Sequence, residues 1–189
     1  PRDAWSIELW IRLRDEPEEE IAAIYAADGW EPGLVHFNLK RGGVLELAIN
    51  GASGFPVSDP NALKPGRWTH LAATADNPAG ELRVYVDGRL VGETESATMP
   101  PLRLARAALG AWVTGSPGRM LPADLDEFLL YPRALTHAEV RQHARSSRAV
   151  DTPPIHFAEQ VLPILEENCH GCHGPDLQKG ELRLDIRAL

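Results

Sequence analysis

Residues 5 to 13, Trp-Ser-Ile-Glu-Leu-Trp-Ile-Arg-Leu, alternate so strictly that Ile7, Leu9, Ile11 and Leu13 share one face and Ser6, Glu8, Trp10 and Arg12 the other. A side-chain period of two belongs to a strand with one buried face. Period-2 or apolar runs recur at 21–26, 34–40, 43–49, 68–75, 81–86, 89–94, 107–113 and 123–131, separated by turn-rich stretches. Asp87-Gly88, between Leu82–Val86 and Arg89–Val91, marks a tight hairpin, because its turn needs residues that tolerate positive φ. Arg41-Gly42-Gly43 and Asn77-Pro-Ala-Gly80 punctuate neighbouring strands in the same way. So many short strands with no helix between them predict a mainly β, antiparallel sandwich rather than an α/β layout.

One helix follows the last strand. Thr136 is an N-cap with Glu139 at the third helical position, a capping box, and the helix is expected to run to about Arg145. A polar connector from Ser146 ends in Pro153-Pro154, which disfavour helix and strand alike, so the expected division is a sandwich over 1–148, a linker over 149–154 and a second domain over 155–189. A chain of 189 residues is long enough for one well-buried domain and a smaller second one.

Three segments carry a family resemblance: 67–75 (RWTHLAATA), 82–91 (LRVYVDGRLV) and 123–140 (ADLDEFLLYPRALTHAEV). In order and spacing they resemble the laminin-G/concanavalin A-like lectin superfamily. The resemblance implies a jelly-roll of two curved antiparallel sheets over residues 1 to about 148. The family's first strand normally precedes the segment at 5–13, so a truncated N-terminus is expected. Sandwiches of this kind bind sugars where aromatic rings stack on the ligand and a few polar groups orient it. Trp10, facing away from Ile7 and Leu9, and Trp30 and Trp112, near turns, are the candidates for that role, with core packing as the competing reading; Trp5 and Trp68 are assigned to packing. The resemblance also implies a structural calcium near an aspartate of the last strand, where Asp126 stands. Calcium needs six or more oxygens, and the plainer reading is that Asp126 accepts backbone amides. Asp124 and Asp126 share a strand face, but the further Glu that the hydrolase pattern places on that face is missing, because Glu127 is expected on the opposite one and Phe128 takes the next position, so no hydrolase site is found. The acidic run Asp15–Glu20 reads as a solvated loop.

The pattern changes after Ile155. Phe157, Val161, Ile164, Leu165 and Asn168 fall on a helical face, and Pro163 places the helix start near Leu162, so that the helix delivers Cys169. Residues 169–173 are Cys-His-Gly-Cys-His and contain both cysteines of the chain. Two thiols three residues apart can each add to a haem vinyl group, and the adjacent His173 then lies beneath the iron as axial ligand. The other nitrogen of such a histidine wants an acceptor, for which a carbonyl at Gly174-Pro175 is the expectation. A zinc site completed by His170, His156 or His143, a redox dithiol and a disulfide are the competing readings. Residues 155–187 as a whole resemble the opening of the planctomycete-type cytochrome c domain. That resemblance implies covalent haem c, thioether positions at Cys169 and Cys172, His173 as proximal ligand, an electron donor or acceptor protein as partner, and an exported, periplasmic bacterial parent of several domains. Met99 and Met120 both fall in the sandwich, so neither is expected as the distal ligand.

With a net charge of −8 and no cluster of Lys and Arg, nucleic acid is not expected as a partner. No apolar run approaches the roughly 18 residues that cross a bilayer. The chain opens at Pro1 and stops at Leu189 inside the haem-like segment, and reads as a fragment. Three functions are therefore in view: an electron-transfer haem module joined to a lectin-like domain, a carbohydrate-binding or adhesive sandwich without functional haem, and a zinc-stabilised interaction module.

Overall fold

A computed structural model describes residues 3–103, 105–112, 119–146, 157–181 and 183–184, apart from the side chains of Gln160 and Glu181. It divides into two compact units, residues 1–148 and 149–189.

The first unit is an antiparallel β-sandwich. Its strands are β1 (Ala4–Leu13), β2 (Ile21–Ala27), β3 (Val35–Lys40), β4 (Val44–Ile49), β5 (Trp68–Asp76), β6 (Glu81–Val86), β7 (Arg89–Glu95), β8 (Ala107–Leu109) and β9 (Ala123–Tyr131). Among the described residues they form a five-stranded sheet, β7-β6-β5-β1-β9, and a four-stranded sheet, β4-β3-β2-β8. The alternation of β1 is realised: Ile7, Leu9, Ile11 and Leu13 are fully buried between the sheets, with Phe37, Leu39, Leu45, Leu47, Leu82 and Val84 among their neighbours in the core. The opposite faces are left to other tasks.

Local departures from regular strands shape those outer faces. The β6–β7 turn has the expected chemistry, with Asp87 at φ 48° and Gly88 at φ 73°. Helix α1 (His137–Ser146) lies on the outer face of the five-stranded sheet, where Val140 and Leu135 pack with Ala72 and Tyr85. In β9 the register against β1 skips between Glu8 and Trp10, a bulge at which Glu127 adopts φ 47°. Strand β8 is shorter than the 107–113 expected, because Gly110, at φ 68°, turns the chain out of the sheet; residue 113 itself lies outside the described residues.

The second unit opens with a π-helical turn, Phe157–Val161, followed by α2 (Leu162–Asn168) and α3 (His170–His173). Pro163 sits in the first turn of α2, where its missing N–H costs nothing. The expected linker 149–154 and His156 lie outside the described residues.

Candidate functional site: a cleft walled by tryptophans

The outer face of the four-stranded sheet carries a cleft of about 500 Å³. Its floor comes from strand alternation. With Val35, Phe37 and Leu39 turned into the core, His36 and Asn38 of β3 must face outward, beside Glu46 and Ala48 of the antiparallel neighbour β4. The walls come from connections: Trp30 precedes β3, Phe55 follows β4, and Trp112 and Arg119 lie between β8 and β9.

The aromatic rings form one group. His36 stacks on Trp112 at 5.1 Å and 10° between planes and on Trp30 at 5.5 Å, while the two indoles are 5.4 Å apart. The Arg119 guanidinium lies 4.7 Å over the Trp112 ring. Trp30 remains 69 % exposed, so a broad indole surface meets solvent at the cleft mouth.

The polar groups of the floor are nearly buried and only partly satisfied. The Asn38 amide nitrogen donates to Glu46 Oε1 at 3.4 Å, and Lys40 Nζ pairs with Glu46 Oε2. Asn50 Nδ2 lies 3.5 Å from His36 Nε2. Burial lowers the His36 pKa, which keeps the ring neutral. With the Asn50 amide donating to Nε2, the single ring proton sits on Nδ1. His36 Nδ1 and Asn38 Oδ1 are both buried without a hydrogen-bond partner. The floor of the cleft thus holds one buried unpaired donor and one buried unpaired acceptor beside the aromatic faces.

Trp30 and Trp112 are brought together, as their candidacy requires. Trp10 is not with them; it lines a separate hollow on the five-stranded sheet. Trp5 is fully buried, and Trp68 carries the Arg12 guanidinium 5.1 Å above its ring. Sequence reasoning did not single out His36, Asn38, Glu46, Phe55 or Arg119. The polar stripe His36-x-Asn38-x-Lys40 opposite Val35-x-Phe37-x-Leu39 was the available signal.

Asp126 accepts the Glu127 amide at 2.8 Å, the plainer of its two expected roles. Among the described residues no three His, Cys, Asp or Glu side chains are grouped so as to hold a metal ion. Asp124 is occupied by Arg12 and Arg14, at 2.8 and 3.0 Å. Glu127 corrects the expected face assignment: the bulge adds a residue and turns its side chain to the outer face with Glu8. Met99 packs against the core, whereas Met120 is 60 % exposed.

In the second unit Cys169 is half-buried, Cys172 is exposed, and they are not bonded to each other. The Cys172 and His173 amides both donate to the Cys169 carbonyl, at 3.1 and 2.9 Å, which holds the motif in one tight turn. His173 Nδ1 is buried without a partner, so the expected carbonyl at Gly174-Pro175 does not reach it; His170 Nε2 is likewise unpartnered. Two thiols not bonded to each other and a His173 Nδ1 without a partner fit covalent haem attachment.

Comparison with known proteins places the sandwich. The model of the concanavalin A-like lectin/glucanases superfamily, Laminin_G_3, matches residues 1–141. Mouse pentraxin-related protein PTX3 is 22 % identical over 178 residues, which is 89 % of this chain and 45 % of that protein, so the chain spans less than half of this curated relative. Among solved structures, the heptameric SAP-like pentraxin of Limulus polyphemus superposes with a TM-score of 0.58 at 16 % identity, over 76 % of this chain and 70 % of that one. The CBM40 of the Ruminococcus gnavus IT-sialidase gives 0.60 at 13 % identity, over 75 % and 83 %. At these identities the structural matches speak for the fold alone; with the family match, they make the chain a member of the concanavalin A-like lectin/glucanases superfamily.

Proposed function

We propose that the sandwich binds carbohydrate in the Trp30–Trp112 cleft. The observation that carries this reading is the stacked Trp30–His36–Trp112 group next to an unpartnered buried donor, His36 Nδ1, and acceptor, Asn38 Oδ1. A sugar ring has an apolar face that stacks on indole and neighbouring hydroxyls that both donate and accept, so it can satisfy all of these groups together. The relatives with lectin-like and carbohydrate-binding-module folds support the same direction. The test is glycan-array screening of the full chain, followed by titration of the best ligand. Trp30→Ala and Trp112→Ala should each weaken binding by about tenfold or more, since buried aromatic anchors dominate such sites. A ligand bound equally well by both variants, or an array with no saturable ligand, removes the proposal.

A second reading concerns residues 169–173. We infer that Cys169 and Cys172 are positions of thioether attachment to haem c and that His173 is its iron ligand. The support is two thiols within one turn that are not bonded to each other, an unpartnered Nδ1 on the adjacent His173, and the large side chains of Phe157, Ile164 and Leu177 exposed on the same small unit. Bound haem would supply one-electron chemistry, the partner would be an electron donor or acceptor protein, and maturation would require an exported, periplasmic location. Expression of the parent protein with cytochrome c maturation should give a pyridine haemochrome spectrum that Cys169→Ala/Cys172→Ala abolishes. Mature folded protein without haem absorbance would remove this reading and leave the carbohydrate one untouched.

A further inference from the structure

A second cavity, of about 210 Å³, lies on the other sheet at the C-terminal end of α1. At its base is Glu8, whose side chain is 2 % exposed. Glu8 Oε2 meets His143 Nδ1 at 2.8 Å, but Oε1 has no hydrogen-bond partner; His70 Nε2 stands 3.7 Å from it, beyond hydrogen-bond reach. His70 is itself buried and held neutral, its pKa lowered to about 4 first by desolvation, so it does not compensate the carboxylate. Glu127 enters the same cavity from the β9 bulge at φ 47°, a conformation that a glutamate adopts at a cost. Among the described residues no Lys or Arg lines the cavity. The walls are Trp10, Leu129 and Tyr131.

His143 and the Tyr131 hydroxyl serve this carboxyl, but its buried Oε1 still lacks a donor, and a buried acceptor of this kind calls for one. A metal ion does not suit the site, because the carboxylates and imidazoles that line it do not converge into a metal-holding group among the described residues. An organic cation does. Its N–H groups would complete Glu8 Oε1, its charge would answer Glu8 and Glu127, and its alkyl arm would lie against indole and phenol rings that favour cations. We propose that this cavity is a binding site for a primary alkylammonium group, carried by a small amine or by a lysyl side chain. It is separate from the tryptophan-walled cleft and does not depend on the function proposed for it.

The experiment titrates n-butylammonium chloride into the full chain at neutral pH and follows backbone and indole NMR shifts, with n-butanol and sodium chloride as controls. Saturable shifts at Trp10 and residues 127–131 are expected, with n-butanol at least about tenfold weaker because it lacks the charge. Glu8→Gln should weaken binding by about tenfold and Glu127→Gln by a smaller factor, while Glu46→Gln in the other cleft leaves it unchanged. Nα-acetyl-lysine methylamide separates the sources: saturation at the same residues assigns the site to lysyl side chains, and exclusion assigns it to small amines. Equal response to n-butanol, or absence of saturation, overturns the proposal. If Glu8→Gln fails to fold, Glu127→Gln decides alone, and unchanged affinity in it is the overturning result.

Discussion

Ser6 is completely buried on β1, and its hydroxyl closes the join between the five-stranded sheet and the approach to α1. It donates to the Arg133 carbonyl at 2.8 Å and accepts the Leu135 amide at 2.8 Å, across more than 120 residues of sequence. Ser6→Ala strands both backbone groups away from water and should lower stability by about 1–3 kcal/mol, read from urea denaturation midpoints. Ser6 was legible only as an outward-facing strand residue; its partners depend on where the chain returns after β9. The tryptophans show a similar limit. Trp30 and Trp112 could be named from composition, but their stacking arises from two loops meeting over one sheet, which no local pattern encodes. Glu127 shows the opposite failure, in which strict alternation put it on the wrong face because an extra residue in a bulge resets the side-chain period.

At the scale of elements, α1 owes its start to a reciprocal cap. Thr136 Oγ1 accepts the Glu139 amide at 3.3 Å, and Glu139 Oε2 accepts the Thr136 amide at 2.8 Å. The Arg133 guanidinium grips both Glu139 oxygens at 2.9 and 2.7 Å and, before the two Thr136 contacts, holds that carboxyl well below the usual carboxylate range. Thr136→Ala should cost about 1 kcal/mol and fray the first turn, seen as faster amide exchange at residues 137–140. The β6–β7 hairpin secures the other end of this packing. A Cβ on Gly88 would lie 2.9 Å from Arg141 Cα and 3.2 Å from Ala144 Cβ, in a backbone conformation that already disfavours it. Gly88→Ala should therefore destabilise the unit by more than the turn strain alone, and its thermal midpoint should fall below that of Thr136→Ala. The hairpin and the cap were both readable because each is specified within a few residues. Strand β8 was over-extended because its apolar run continues past Gly110, where the backbone has already left the sheet.

For the sandwich as a whole, burial of two histidines sets the acid response. Desolvation lowers the pKa of His36 on one outer face and drives that of His70 on the other to about 4. In the unfolded chain both titrate near 6.5, so between about pH 6.5 and 4 the unfolded state binds protons that the folded state refuses. On account of these histidines stability should be constant above this window and fall through it as pH drops, with no further change from His70 below about 4. Calorimetric midpoints measured across the window should flatten in His70→Gln, and a slope unchanged by that substitution would assign the acid loss elsewhere.

The two cavities lie on opposite outer faces of a single core, one on each sheet. Copies of this unit that stack face on face would seal one or both of them. An assembly in which every copy keeps both cavities open has to be joined elsewhere than across these faces, as at the rims, where among the described residues β7, β9, β4 and β8 end the sheets and Leu109 and Leu130 stand 41 % exposed. The placement of the sites therefore excludes face-on-face stacking from any assembly in which every copy keeps both cavities open.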